Sequence, residues 1–211
     1  MKKSAVLYIH GNGGSAEEAA HYRSLFEYCD VIGLDYRAQT PWEAKEEFPR
    51  LFDSLCGQYD AVTVIANSIG AYFAMQALPT KKIESVFFIS PVVNMPKLIE
   101  DMMMWAGVSE AELRDKGEIE TAFGQTLSWE YLSYAREHPA RWPVPTRILY
   151  GSRDEMTSFA MISTFAGQIG ATLTVMENGE HWFHTKAQMQ FLDRWIESAL
   201  REETEESEGV R

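Results

Sequence analysis

Four short segments hold residue types that together suit acyl-transfer chemistry. Ala66-Asn67-Ser68-Ile69-Gly70 sets a serine between small residues, after an apolar run and before a helical one. A serine forced onto a tight strand-to-helix turn stands proud of the sheet edge. The crowded turn demands small neighbours, hence the pattern G-x-S-x-G, met here with Ala66 in place of the first glycine. The helix start also turns backbone N–H groups toward developing negative charge. The same pentapeptide fits a plain helix N-cap, for which serine is a preferred residue.

The other three segments bear on that choice. His10-Gly11-Asn12-Gly13-Gly14 follows the first apolar run, and its glycines let backbone approach a ligand closely. Such a loop supplies an amide to an oxyanion, so the expected donors are the N–H groups of Asn12 and Ile69. A phosphate loop is the weaker reading, because neither G-x-G-x-x-G nor Gly-Lys-Ser/Thr is completed. Gly151-Ser152-Arg153-Asp154 puts an acid just past a later apolar run, where it serves a histidine, a local turn or the following helix. Gly179-Glu180-His181-Trp182-Phe183 follows the last such run, and an imidazole of ordinary pKa near ~6.5 suits proton transfer at neutral pH. His184 is its rival, expected at a helix entrance and pointing elsewhere.

These residues need a frame. Six short apolar runs, 6–10, 31–35, 61–66, 86–90, 147–150 and 172–176, read as strands covered on both faces, since they are continuously apolar rather than alternating. Helical patterns fall between them at roughly 16–28, 42–56, 69–78, 159–169 and 185–200. Alternation of this kind implies right-handed crossovers and an α/β fold: a doubly wound, mostly parallel sheet of about six strands in three layers, α/β/α. Residues 1–200 are expected to form a single domain. The stretch 91–146 breaks the rhythm, with helical signals at 97–106, 110–116 and 128–137 and no convincing strand. It is too long for an ordinary loop and is expected to be a helical cap insertion. Each of the four chemical segments then leaves the carboxyl end of a different strand, the edge at which open α/β sheets bind ligands.

On HGNGG at 10–14, ANSIG at 66–70, GSRDE at 151–155 and GEHWF at 179–183, in the order serine, aspartate, histidine, the chain resembles the α/β-hydrolase superfamily over nearly its whole length. The resemblance implies Ser68 as nucleophile, Asp154 as orienting acid and His181 as base, with the amides of Asn12 and Ile69 as the oxyanion hole. It also implies that the family's leading antiparallel hairpin is missing, because the chain starts at once with the HG strand. A serine at the elbow disfavours the dehalogenase and epoxide-hydrolase chemistries, which use aspartate there. The expected activity is hydrolysis of a small carboxylic ester, with thioester and amide as close variants. The alternatives are a catalytically silent member used for binding, and a regulatory protein whose acidic tail meets a basic partner.

Specificity is expected to come from the insertion and the histidine loop. Met103 and Trp105, within Met102-Met103-Met104-Trp105, and Trp182 are candidate pocket residues, because Met and aromatic side chains form an adaptable apolar wall. The competing reading is that they pack the insertion onto the body. Trp42, after Pro41, is expected to start and anchor a helix.

Composition narrows the partners. The net charge of −12, from 31 acidic and 19 basic residues, repels phosphate backbones and anionic membranes, so a small-molecule substrate is expected, with no nucleic acid and no membrane. The tail 201–211 carries −3 of that charge in five Glu and two Arg, leaving an acidic body of −9. It is read as a solvated helix end. No metal cluster or cofactor loop is evident. The five-residue apolar run before His10 is too short for a signal peptide, and Cys29 and Cys56 read as small buried thiols, so a cytoplasmic protein is expected. Oligomeric state is left open.

Overall fold

The computed structural model describes residues 3–209. In chain order its elements are β1 (Ser4–Ile9), a 3₁₀ helix (Ala16–Ser24), β2 (Asp30–Gly33), α1 (Pro41–Cys56), β3 (Ala61–Asn67), α2 (Ile69–Ala77) and β4 (Ser85–Ile89). The inserted segment holds α3 (Met95–Ala106), α4 (Glu110–Lys116), β5 (Glu118–Glu120), β6 (Thr126–Ser128) and α5 (Trp129–Glu137). The frame then resumes with β7 (Thr146–Gly151), α6 (Phe159–Ile169), β8 (Thr172–Met176) and α7 (Lys186–Gly209).

Six strands pair in the order β2-β1-β3-β4-β7-β8, and every pairing is parallel. The chain leaves β1 toward one edge and starts from β3 toward the other. The carboxyl ends of β1 and β3 therefore flank the switch point where open sheets form their ligand crevice.

Strand side chains alternate between the two faces, as period two requires. Leu7 and Ile9 of β1 join Val62, Val64 and Phe88 in the core under α1, α2 and α6. Val6 and Tyr8 join Ile65, Phe87 and Leu149 in a second core under the 3₁₀ helix and α7. These are the expected three layers.

Two elements differ from the sequence reading. The segment after the glycine loop winds as a 3₁₀ helix, and its two buried residues, Ala19 and Tyr22, are three apart. Three residues per turn stacks them on one face, against Tyr8. The insertion is not wholly helical, for β5 and β6 form an antiparallel hairpin with Ile119 opposite Leu127. Each strand has only three residues, too few to show an alternating pattern above noise.

The insertion shares the body's core. Met95, Leu98, Ile99 and Met103 of α3, Leu113 of α4, Leu127 and Leu132 are buried in the cluster that contains Phe73 and Phe88. Arg136 of α5 ties three of its helices together by pairing with Glu100 and Glu110, each at 2.9 Å. Trp42, in the first turn of α1 after the N-cap Thr40, meets Tyr131 and Tyr134 edge-on, so it anchors both helix and insertion.

The last helix runs past Leu200 to Gly209, so most of the acidic tail is helical, while residues 210 and 211 lie outside the described residues. Of the two free thiols Cys56 is buried, its pKa pushed up to about 11 by burial, whereas Cys29 is only half-buried. Among the described residues no helix is long and apolar enough to cross a membrane.

Candidate active site

Ser68 sits between the end of β3 and the start of α2 with φ 50° and ψ −119°. That backbone is strained for a residue with a Cβ, and such strain collects at functional sites. It is held by three main-chain bonds: the Ser68 N–H donates to the Ile89 carbonyl at 3.0 Å, and the Ser68 carbonyl accepts from Ala71 and Val92, each at 3.2 Å. The side chain makes no capping bond to α2. Its Oγ lies 2.8 Å from His181 Nε2 instead.

The histidine's other nitrogen, Nδ1, is 2.7 Å from Asp154 Oδ2. A carboxylate only accepts, so Nδ1 carries the proton and Nε2 is left to accept from the serine hydroxyl. The Asp154 side chain is fully buried. Its remaining oxygen, Oδ1, accepts the amides of Met156 at 2.8 Å and Thr157 at 3.0 Å. Three hydrogen bonds thereby meet the buried carboxylate, which offsets the cost of burying the acid.

The acid and histidine loops lie against each other through glycines. A β-carbon on Gly151 would meet the Gly179 carbonyl carbon at 2.5 Å, so no larger residue fits while the loops touch. Arg153 N–H donates to the Gly179 carbonyl at 2.8 Å and Asn178 N–H to Ser152 Oγ at 2.8 Å. Below them Tyr150 Oη donates to the Thr157 carbonyl at 2.9 Å. Burial, and then the Asp154 charge, raise the Tyr150 pKa, keeping that phenol a donor.

The glycine loop closes as a turn, with Gly14 N–H on the Gly11 carbonyl at 3.2 Å. Asn12 and Ile69 both line a recess of about 60 Å³ that Tyr36, Ala38 and Phe73 also line. Ile69 opens α2, so its N–H has no acceptor within the helix. Tyr36 Oη donates to the His10 carbonyl at 2.8 Å while its ring stacks on the His10 imidazole, with centroids 4.2 Å apart. Tyr36 was not among the sequence candidates, although it stands just past β2 at the same sheet edge as the others.

The remaining candidates fall apart spatially. Met103 is buried in the core, Trp105 is half exposed and edge-on to Phe123, and neither lines the recess. Trp182 is 68% exposed and stacks on His184 with centroids 4.3 Å apart. His184 Nδ1 bonds to the Trp182 carbonyl and makes no contact with Ser68.

A six-stranded parallel sheet wound in this order has known counterparts. Est1E from Butyrivibrio proteoclasticus superposes with TM-score 0.77 at 16% identity, over 95% of this chain and 88% of that one. The chain has the α/β-hydrolase fold. Mouse alpha/beta hydrolase domain-containing protein 10 shares this hydrolase fold with TM-score 0.76 at 15% identity, over 94% of this chain and 90% of that one. A Pyrococcus furiosus esterase does so with TM-score 0.62 at 20% identity, over 95% and 81%. No family model matches the chain and no curated protein shows significant sequence similarity to it, so what these likenesses carry is the hydrolase fold itself.

Proposed function

We propose that the chain is a serine hydrolase that cleaves a small carboxylic ester, with thioesters and amides as close variants. The observation that carries this is the unbroken line from Ser68 Oγ through His181 to Asp154, at 2.8 and 2.7 Å, built from three separate loops. Several structural neighbours are hydrolases or esterases by name, which supports the same reading.

In the proposed reaction Ser68 Oγ attacks the ester carbonyl as its proton passes to His181 Nε2. Asp154 holds the imidazole in the required tautomer and stabilises the imidazolium. The oxyanion is met by the amides of Asn12 and Ile69. The intermediate collapses, the alcohol leaves with the proton from Nε2, and the acyl group stays on Ser68. Water then attacks that acyl ester with His181 again taking the proton, and the acid departs as Ser68 regains its hydrogen.

A fluorophosphonate probe followed by p-nitrophenyl esters of rising chain length tests this. Labelling of the wild type and none of Ser68→Ala is expected. Equal labelling of both, or none of either, would overturn the assignment and favour a non-catalytic binding role.

A further inference from the structure

We propose that Ser90 is a positioning residue for the nucleophile. With Pro91 it makes the turn by which residues 89–92 clasp Ser68 and tie it to the strand that leads to Asp154. This rests on the hydrolase reading above and concerns how its nucleophile is held.

Ser90 directly follows β4 and is wholly buried, yet its φ is 43°. Positive φ is unusual for a residue with a Cβ. Among the described residues Ser68, Ser90 and Asn178 are the three non-glycine residues that show it. All three stand just past the carboxyl ends of strands, β3, β4 and β8, at the sheet edge where the triad lies. Asparagine tolerates such a turn through its own short polar side chain. The two serines have to be held there by their surroundings.

The bonds around Ser90 do this. Its N–H donates to the Leu149 carbonyl at 2.8 Å, closing the ladder between β4 and β7, the strand that leads to Asp154. One residue back, the Ile89 carbonyl accepts from Ser68; two residues on, the Val92 N–H donates to the Ser68 carbonyl. The chain turns at Ser90 so that both groups face the same residue. Pro91 stiffens the turn, because its ring fixes its own φ and restricts the residue before it. Beyond Val92, Asn94 Oδ1 accepts the Lys97 N–H at 3.0 Å and caps α3, whose first residue, Met95, is buried. The clasp is anchored in the sheet at one end and in the insertion at the other.

The side chain of Ser90 takes no part in the holding, for its Oγ is buried with no hydrogen-bond partner among the described residues. A buried orphan hydroxyl and a strained backbone each cost stability, and two such costs on one residue beside a nucleophile mark a position set by function. Ser68, at φ 50°, needs outside support of the same kind, because such a backbone persists only where its surroundings over-determine it. Were Ser90 to relax to negative φ, the Ile89 carbonyl and the Val92 N–H would no longer both reach Ser68. Its Oγ would then leave the 2.8 Å contact with His181 Nε2.

The test is three variants of the intact chain, followed by p-nitrophenyl ester kinetics and by the rate of fluorophosphonate labelling, which reads Ser68 directly whatever ester the protein prefers. Ser90→Thr keeps a hydroxyl, but a β-branched residue resists positive φ. Its kcat and labelling rate should fall about ten- to a hundredfold with KM little changed, the scale set by misplacing a reacting group by up to ~1 Å. Ser90→Gly lacks the hydroxyl yet takes the same φ without strain, so as the conservative variant for the backbone it should restore both rates. Pro91→Ala loosens the turn without crowding it and should lower kcat severalfold, again at constant KM; it decides the matter if Ser90→Thr fails to fold. Ser90→Thr as fast as Ser90→Gly, or Pro91→Ala at the wild-type rate, overturns the proposal. Ser90→Gly as slow as Ser90→Thr also overturns it, by giving the role to the hydroxyl. A change confined to KM does so too, by placing Ser90 against the substrate. Absence of labelling in the wild type is the separate failure of the hydrolase reading.

Discussion

The α-carbon of Gly70 is pressed against the carbonyl of His10: a β-carbon there would meet the His10 oxygen at 2.2 Å and the Ile9 oxygen at 2.9 Å. Two loops leaving neighbouring strands, one bearing the proposed oxyanion amide of Asn12 and the other the serine, are thus locked at van der Waals contact. Both obstacles are backbone, so neither can swing aside.

Gly70→Ala must therefore push the glycine loop away from α2. We expect a stability loss on the order of 1–3 kcal/mol and a kcat lower by about a hundredfold, since misplacement by about 1 Å costs that much. Denaturant unfolding alongside esterase kinetics checks it. Undiminished kcat would mean that the Asn12 amide takes no part.

Asp154→Asn separates geometry from charge. The amides of Met156 and Thr157 both donate to Oδ1, so an asparagine must place its carbonyl there and turn its NH₂ toward His181 Nδ1. Nδ1 then becomes an acceptor, the ring proton moves to Nε2, and the serine loses its base. We expect kcat to fall by about 10³–10⁴ with KM little changed. Asp154→Ala should also lose stability, about 1–3 kcal/mol for each orphaned amide. An Asp154→Asn protein of near-normal rate would remove Asp154 from the mechanism.

Glu18 braces the glycine loop from beneath. Its Oε2 accepts from Tyr8 Oη at 2.6 Å and its Oε1 from the Ser15 N–H at 3.2 Å, joining β1 to the loop's end. Glu18→Ala should lower stability by about 1.5–3 kcal/mol through lost bonds to a charged group. It should also lower kcat about tenfold at constant KM, because the loop positions an amide rather than binding the ground state. A rise in KM alone would assign Glu18 to substrate binding instead.

Alkaline pH probes the core. Burial raises the pKa values of Tyr8, Tyr22, Tyr36, Tyr72 and Tyr131 above the usual phenol value. Unfolded tyrosines ionise near ~10. The folded protein keeps protons that the unfolded chain releases, so this stability is complete below pH ~10 and drains as pH rises toward the folded values. Each such tyrosine removes up to ~1.4 kcal/mol per pH unit. The tyrosinate absorbance of these five should appear together with loss of far-ultraviolet dichroism, above pH ~10. Ionisation of these five near ~10 while the fold persists would contradict it.

The frame was legible because its signals are local. The run Val86–Ile89 within β4 is apolar without alternation and buried throughout, and such runs mark strands covered on both faces. Ser68, Asp154 and His181 were legible through their position just past such runs. The β5–β6 hairpin was not, as three-residue strands leave no period to read, and neither was the 3₁₀ winding over 16–24, where helix-forming residues hide a tighter turn.

The sequence by itself determined which residue types stand at the carboxyl ends of the strands, in what order, and therefore which chemistry is within reach. Tertiary structure alone decided what meets what. It turned Ser68 Oγ to His181 rather than to its own helix, sent Met103 into the core, and brought Tyr36 across from β2 to wall the recess. The division is physical: periodicity and turn chemistry act over a few residues and are written in order along the chain. Contacts such as Gly70 on His10, or Gly151 on Gly179, depend on how closely two separately folded segments can pack, and no local pattern encodes that distance.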